Sequence, residues 1–155
     1  PDGGFLAVNT GGSVSKINPD NSLVWIRNWD SSQNWALHVS GEYFYLAGDT
    51  RLSFPDYETQ STYATSIAKF RWDNGNHDPS FLVQGAGIRG IATQSNNKVI
   101  LVGDCSTLNG QPASRVARFN EDGTRDNNFS VNLNFVAYTV KALDSDDILI
   151  GGYFS

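Results

Sequence analysis

The sequence lacks most of the residues that build the common catalytic and metal centres. Its 155 residues include one cysteine, two histidines and no methionine. The single Cys105 leaves no partner for a disulfide within the chain, and it does not define the redox compartment. His38 and His77 have no second histidine or cysteine at a zinc-binding spacing. We therefore predict that the protein binds no metal and no cofactor and carries no catalytic residues.

Charged residues are also scarce, and this limits the possible partners. They make up 17% of the chain, with 11 lysines and arginines against 16 aspartates and glutamates and a net charge of −5. The basic residues do not cluster, whereas binding to nucleic-acid phosphates requires clustered lysine and arginine. No apolar run approaches the roughly 20 residues of a membrane-spanning helix. The sequence thus predicts neither a nucleic-acid partner nor membrane insertion.

What the chain does contain is a series of short extended segments separated by turns, and residues 88–129 hold the clearest set. Asparagine and glycine mark the turns between the segments, because both tolerate left-handed backbone geometry. A longer stretch at 105–114, with Asn109-Gly110 and Pro112, is predicted as a loop. Four strands within about 42 residues match the size of one propeller blade. The predicted strands are Ile88–Thr93, 98–103, 115–119 and 124–129.

The order of residues within this stretch is specific. The first half carries Ile88, Gly90, Ile91, Ala92, Gln94, Lys98, Val99, Ile100, Gly103, Asp104, Asn109 and Gly110. The second half continues with Arg115, Val116, Ala117, Arg118, Phe119, Asn120, Asp122, Gly123, Asp126 and Phe129. In this pattern the stretch resembles the delta-sixty repeat of bacterial β-propeller proteins. It departs from that repeat at Ser95-Asn96-Asn97, where the family favours Pro-Asp-Gly, and at Val102 and Cys105.

Looser copies of the same unit occupy the rest of the chain. They predict one all-β domain over residues 1–155, a partial β-propeller of four-stranded antiparallel blades with about three blades' worth of strands. Gly48, Gly103 and Gly152 are predicted to lie at equivalent places in successive blades. Because a closed ring needs at least about four blades, we expect further blades of a longer chain or a partner chain. The predicted repeats are 1–34, 35–81, 82–129 and 130–155.

Aromatic residues provide the candidate ligand-binding positions. Trp25, Trp29 and Trp35 lie within eleven residues, where exposed rings would stack on sugars and nearby Asn, Gln and Asp would bind hydroxyls; the alternative is that they fill the gap between neighbouring blades. Residues 50–66 form a predicted long polar loop that carries Tyr57 and Tyr63, a candidate contact for a partner.

The acidic turns at 73–78 and 120–123 concentrate oxygen ligands of the kind that calcium prefers. Neither has the full spacing of an EF-hand loop. The alternative is that their Asp and Asn side chains bind their own backbone, as such residues usually do in tight turns.

Two functions remain open at this point. The resemblance implies a non-catalytic binding or structural module of a larger secreted, cell-surface or virion-appendage protein, with a protein partner, further blades or a surface glycan as its contact. The alternative is a propeller enzyme that acts on carbohydrate or uses a channel-bound cofactor. The predicted inner strands, Ile88–Thr93 and 136–142, offer only Arg89, Tyr138 and Lys141 as reactive side chains. Paired carboxylates for glycoside hydrolysis are missing from these strands, so the sequence favours the binding module.

Overall fold

The computed structural model describes residues 2–9, 12–28, 34–55 and 62–155, with the backbone alone at 34–35, 49–55 and 62–64. All regular secondary structure in these residues is β-strand. None of the described residues forms a helix that could cross a membrane.

The strands form antiparallel sheets that follow one another along the chain. The first blade contains β1 (Phe5–Val8), β2 (Ser13–Ile17) and β3 (Leu23–Asn28). The second contains β4 (Asn34–Ser40), β5 (Tyr43–Pro55), β6 (Thr62–Arg71) and β7 (His77–Val83). The third contains β8 (Ile88–Thr93), β9 (Val99–Gly103) and β12 (Val116–Phe119), with a small hairpin between them of β10 (Thr107–Leu108) and β11 (Gln111–Pro112). The fourth contains β13 (Ala137–Ala142) and β14 (Ile148–Gly152).

The three glycines that the sequence places at equivalent positions have the same register. Gly48 pairs with Asn34, Gly103 with Ile88 and Gly152 with Ala137, each at the first residue of an inner strand. In each pair the register shifts directly afterwards, which is a β-bulge at the same place in three blades. The predicted equivalence is confirmed.

The apolar core lies between blades. Val14 and Trp25 of the first blade pack with Phe44 and Phe70 of the second. A larger cluster joins the second blade to the third, and a further cluster joins the third to the fourth. The inner strand β8 lies beside both β4 and β13. Sheets that pack face to face around their inner strands are the architecture of a propeller, and the predicted fold class, an all-β partial β-propeller, is confirmed.

The fourth strand predicted for the central repeat, 124–129, is wrong. Only the single bridge between Phe119 and Arg125 forms there. The next residue, Asp126, is buried and its carboxylate binds Lys98 and Arg118. The N–H of Phe129 then donates to the carbonyl of Asp126. The N–H of Asp126 still donates to the carbonyl of Arg118, and the chain turns after it, where the N–H of Asn128 donates to the Asp126 carboxylate.

The predicted loop at 50–66 is wrong for the residues that the structure describes, and the predicted loop at 105–114 contains a small hairpin. Most of residues 50–66 belongs to β5 and β6, which continue as a long hairpin through the pairs Leu52–Thr65 and Pro55–Thr62. Within 105–114, Asn109 and Gly110 form the two-residue turn between β10 and β11, with φ of 50° and 73°. Positive φ at both positions suits a tight hairpin. Residues 56–61, with Tyr57, lie outside the described residues.

Candidate functional site

Each of the first three blades places a cation at one equivalent position, buried in the first two blades and partly buried in the third. The three cations are equivalent because each directly precedes a residue that pairs near the start of the second strand. The cations are Lys16, Lys69 and Arg118, and the pairs that follow them are Phe5–Ile17, Phe44–Phe70 and Val99–Phe119. Lys16 and Lys69 are 4% and 3% exposed. A buried ammonium must be balanced by hydrogen-bond acceptors or by negative charge. The residues that contact each of these cations therefore form part of the junction between one blade and the next.

At the junction between the first and second blades, Asp2 and Trp72 surround the cation. The Lys16 ammonium donates to Asp2 Oδ2 at 2.7 Å and lies 5.0 Å from the Trp72 ring centroid. The indole N–H of Trp72 donates to Asp2 Oδ1 at 3.3 Å. The bond from Lys16 and the backbone N–H of Gly4 lower the pKa of Asp2 to about 2. The carboxylate is therefore held ionised against the lysine.

At the junction between the third and fourth blades, a glutamine and an aspartate satisfy the cation. Arg118 donates to Asp126 Oδ2 at 2.8 Å and to Gln94 Oε1 at 3.3 Å. Gln94 in turn donates through Nε2 to the carbonyl of Asp146 in the fourth blade, at 2.5 Å. Ser95 also contacts Asp146, because its N–H and its hydroxyl both donate to the Asp146 carboxylate. Side chains thus close this junction.

The junction between the second and third blades is open. Here the Lys69 ammonium lies 3.3 Å from Asp78 and 3.8 Å from Glu121, and 3.9 Å from the centroid of the Tyr43 ring. A cavity of about 210 Å³ lies beside it. We call this cavity the inter-blade groove; its lining is Ser40, Gly41, Glu42, Tyr43, Tyr45, Lys69, Thr93, Asn97 and Glu121.

In the groove, nearby carboxylates balance the positive charge of Lys69 and leave an excess of negative charge. Burial alone would raise the pKa of Asp78, but hydrogen bonds from Ser80 and the charge of Lys69 bring that pKa below its usual value. Burial, and then the negative charges of Glu121 and Asp78, raise the pKa of Tyr45, so its phenol stays protonated. Lys69 is thus a hydrogen-bond donor with its charge balanced.

A chain of hydroxyl groups leads from the inner strands into the groove. His38 Nε2 lies 2.9 Å from Thr93 Oγ1, and the Thr93 hydroxyl donates to Ser40 Oγ at 2.9 Å. Burial lowers the pKa of His38. Two of these groups, Thr93 and Ser40, also line the groove. The arrangement supplies donors and acceptors on one wall, which suits binding of a polar molecule.

Trp25, the first of the predicted ligand-binding residues, lies between two blades. It is 7% exposed and stacks on Phe44, with ring centroids 5.9 Å apart and planes 18° from parallel. Its indole N–H donates to the carbonyl of Trp72 at 3.2 Å, and the Arg27 guanidinium lies 5.8 Å from its ring. In this position Trp25 fills the gap between blades, the alternative that the sequence left open.

The other predicted ligand-binding residues are distributed along different strands. Trp35 lies on β4 at the bulge, and Tyr63 lies on β6 opposite Phe54. Trp29 and Tyr57 lie outside the described residues. A shared role for these aromatic residues stays a prediction.

The Asp and Asn side chains of the acidic turns accept hydrogen bonds from the backbone of the same turn. Asp122 Oδ1 accepts from both the N–H and the hydroxyl of Thr124, at 2.9 and 2.6 Å. The turn in the first blade repeats this arrangement, with Asp20 accepting from Ser22 at 2.9 and 2.6 Å. Asn74 likewise accepts from the N–H of Asn76. Within the described ranges no three His, Cys, Asp or Glu residues come together as a possible metal site.

Residues 94–129 match the model of a family described as a domain of unknown function (DUF5122) beta-propeller. The chain carries a β-propeller repeat. The matched region runs from Gln94 to Phe129 and so includes β9, the small hairpin, β12 and the Asp126 ion pairs. No curated protein matches the chain.

Sequence reasoning missed the residues of the inter-blade groove. Lys69, Thr93 and Glu121 carry no recognisable motif, and they come from two different blades. A signal was nevertheless present in the repeats: Ser40 occupies the place that Gln94 has in the next copy, and the turn after it is one residue shorter. Comparing the copies position by position would have pointed to this junction.

Proposed function

We propose that this chain is a non-catalytic binding module built from delta-sixty repeats, part of a larger secreted, cell-surface or virion-appendage protein. The resemblance of residues 88–129 supports the family and the setting. The β-propeller match over residues 94–129 agrees with it at the level of the fold. The inter-blade groove is the ligand-binding site that we infer for this module.

The polar lining of the inter-blade groove carries this proposal, and the pKa directions of six aspartates support it. A glycosidase-type acid needs a carboxyl group whose pKa is raised. Among the described residues, six aspartates have a pKa that departs from the ordinary value, and all six are lowered; they are Asp2, Asp20, Asp78, Asp122, Asp126 and Asp146. These six carboxylates are held ionised by the hydrogen bonds they accept, which suits binding rather than donation of a proton.

The thiol and the inner-strand histidine support the same conclusion. Burial raises the pKa of Cys105 to about 11, so its thiol stays protonated and is a poor nucleophile. Burial also lowers the pKa of His38, and its Nε2 is engaged with Thr93. Acyl or glycosyl transfer would need a base that accepts the proton of its nucleophile. His38 does lie beside a hydroxyl, but the Thr93 hydroxyl donates to Ser40 rather than to His38.

Binding and turnover can be separated in one experiment. The protein would be applied to an array of glycans, and the same glycans would be incubated with it in solution while NMR follows the anomeric signals. We expect retention on the array and unchanged spectra. Release of a cleaved or oxidised sugar would establish the enzyme alternative and overturn the proposal.

A further inference from the structure

The inter-blade groove exists because two side chains and the turn between them differ between two copies of the repeat. In the third blade, Gln94 reaches both Arg118 and the carbonyl of Asp146, and so spans the junction with the fourth blade. In the second blade the equivalent residue is Ser40, which pairs with Tyr43 at the end of β4. A serine hydroxyl is too short to span the junction, and Ser40 instead accepts from Thr93.

The turn beside it enlarges the opening. Gly41 and Glu42 are the only residues between β4 and β5, whereas three residues separate Gln94 from Lys98 in the third blade. Tyr43 then occupies the place of Lys98, whose ammonium binds Asp126 at 2.5 Å. The second blade thus lacks both side chains that fill the corresponding space in the third. What remains is a cavity with a buried lysine at its wall.

The charges around the groove select an uncharged ligand. Lys69 contributes one positive charge, and Asp78, Glu121 and Glu42 contribute negative charges beside it. An anion would meet this excess of negative charge at short range, which is unfavourable in a partly buried site. A neutral ligand with hydroxyl groups meets both donors and acceptors and brings no charge to desolvate.

The hydrogen-bonding groups are arranged for neighbouring hydroxyls. Lys69 donates, Glu121 accepts, and Asn97 can do both. Asn97 Nδ2 donates to Glu121 Oε2 at 3.1 Å, which orients the carboxylate. A lysine and a carboxylate 3.8 Å apart can bind two adjacent hydroxyls, because one hydroxyl accepts from the ammonium while its neighbour donates to the carboxylate.

The volume limits the size of the ligand. About 210 Å³ corresponds to roughly seven water molecules at ~30 Å³ each. This is below the roughly 300 Å³ at which pockets for drug-sized ligands begin. A single sugar ring is of the right size, whereas an extended oligosaccharide would have to continue outside the groove.

We propose that the inter-blade groove binds one uncharged sugar residue, with Lys69 and Glu121 on adjacent hydroxyls and Asn97 and Thr93 beside them. This inference rests on the proposed binding function and gives it a ligand class. The groove lies between two blades, so the second and third blades must both be present for binding.

The test uses the whole chain with methyl glycosides of glucose, galactose, mannose and N-acetylglucosamine, and with glucuronate as the charged comparison. Binding would be followed by ligand-observed NMR and calorimetry. We expect saturable binding of at least one neutral glycoside, in the millimolar range or tighter, and weaker binding of glucuronate. Absence of binding by all four glycosides, or stronger binding of glucuronate, would overturn the inference.

The decisive variant is Ser40→Gln, which installs the third blade's side chain and should fill the groove. We expect its affinity for the glycoside to fall by about tenfold or more, the equivalent of one hydrogen bond to a charged group. Ser130→Gln makes the same chemical change at an exposed position and should bind like the wild type. If Ser40→Gln fails to fold, Glu121→Gln, at an exposed turn residue, tests the same contact.

Retained affinity in the folded groove variants would overturn the sugar site while leaving a binding function elsewhere on the chain intact. Cleavage of a glycoside by the wild type would instead overturn the proposed function. The two failures therefore give different results in the same set of measurements.

Discussion

Gly103 lies directly against Gly87, so that a Cβ atom on Gly103 would collide with the carbonyl oxygen of Gly87. That oxygen accepts the N–H of Asp104 at 2.8 Å. The fourth blade repeats the relationship, since a Cβ on Gly152 would collide with the Val136 carbonyl. Glycine at the end of the second strand lets the chain before the inner strand approach and hydrogen-bond there.

Replacing this glycine should therefore destabilise the fold. We expect Gly103→Ala to lower the free energy of unfolding by about 3 kcal/mol, at the upper end for overpacking, because the obstacle is backbone and cannot rotate away. Chemical denaturation followed by fluorescence would measure the loss. Gly110→Asn is the control, because a Cβ at Gly110 meets no atom within 4 Å. Asparagine tolerates the positive φ there, so the change should stay under about 1 kcal/mol. Equal losses in the two variants would contradict the steric argument.

The buried position of Trp25 predicts a structural effect on mutation. Trp25→Ala should lower the free energy of unfolding by about 3–5 kcal/mol, because it empties the gap between the first two blades. Trp25→Phe keeps an aromatic ring against Phe44 but removes the indole hydrogen bond. Loss of that bond should lower the free energy of unfolding by about 1 kcal/mol, in addition to the effect of the smaller ring on packing. A ligand-binding role without a packing role would instead leave the denaturation midpoint of Trp25→Ala unchanged.

The sequence was sufficient for the fold because period-two alternation and turn residues are local signals. It predicted β8 with its bounds and the equivalence of three glycines. It did not predict that the chain turns after Asp126, where the N–H groups of Asn128 and Phe129 donate to the carboxylate and the carbonyl of Asp126. The inter-blade groove was not predicted either. Ser40 and the shorter turn mark the junction only when the repeat copies are compared, and the groove itself also needs side chains of the neighbouring blade.

Two turn residues with positive φ should differ in how much stability the protein loses when each is replaced by glycine. Asn21 has φ 67° and Asp146 has φ 65°. Gly123 already occupies the equivalent of Asn21 in the third blade, so Asn21→Gly should stay within about 0.5 kcal/mol of the wild type. Asp146→Gly removes the carboxylate that accepts two bonds from Ser95 and should lower the melting temperature. Thermal unfolding of both variants would decide, and equal melting temperatures would argue against a clamp between the third and fourth blades.

The ion pairs of Asp126 should give the protein a measurable acid sensitivity. The ammonium of Lys98 at 2.5 Å, the N–H of Asn128 and the guanidinium of Arg118 hold the pKa of Asp126 at about 2. An unfolded aspartate titrates near 3.9. Because the folded value is the lower one, the stabilisation by Asp126 is present above about pH 4 and is lost as the pH falls towards 2.

Asp126→Asn should accordingly be less stable than the wild type at neutral pH, by about 2 kcal/mol for hydrogen bonds to charged groups. The difference between the two proteins should shrink as the pH falls from about 5 towards 2, since protonation of Asp126 in the wild type removes the same interaction. Urea denaturation at a series of pH values would measure it. Asp144→Asn, at an exposed position, is the control and should track the wild type throughout. A difference that stays constant down to pH 2 would mean that Asp126 acts through shape rather than charge. The buried carboxylate would then be a packing residue that asparagine fails to replace.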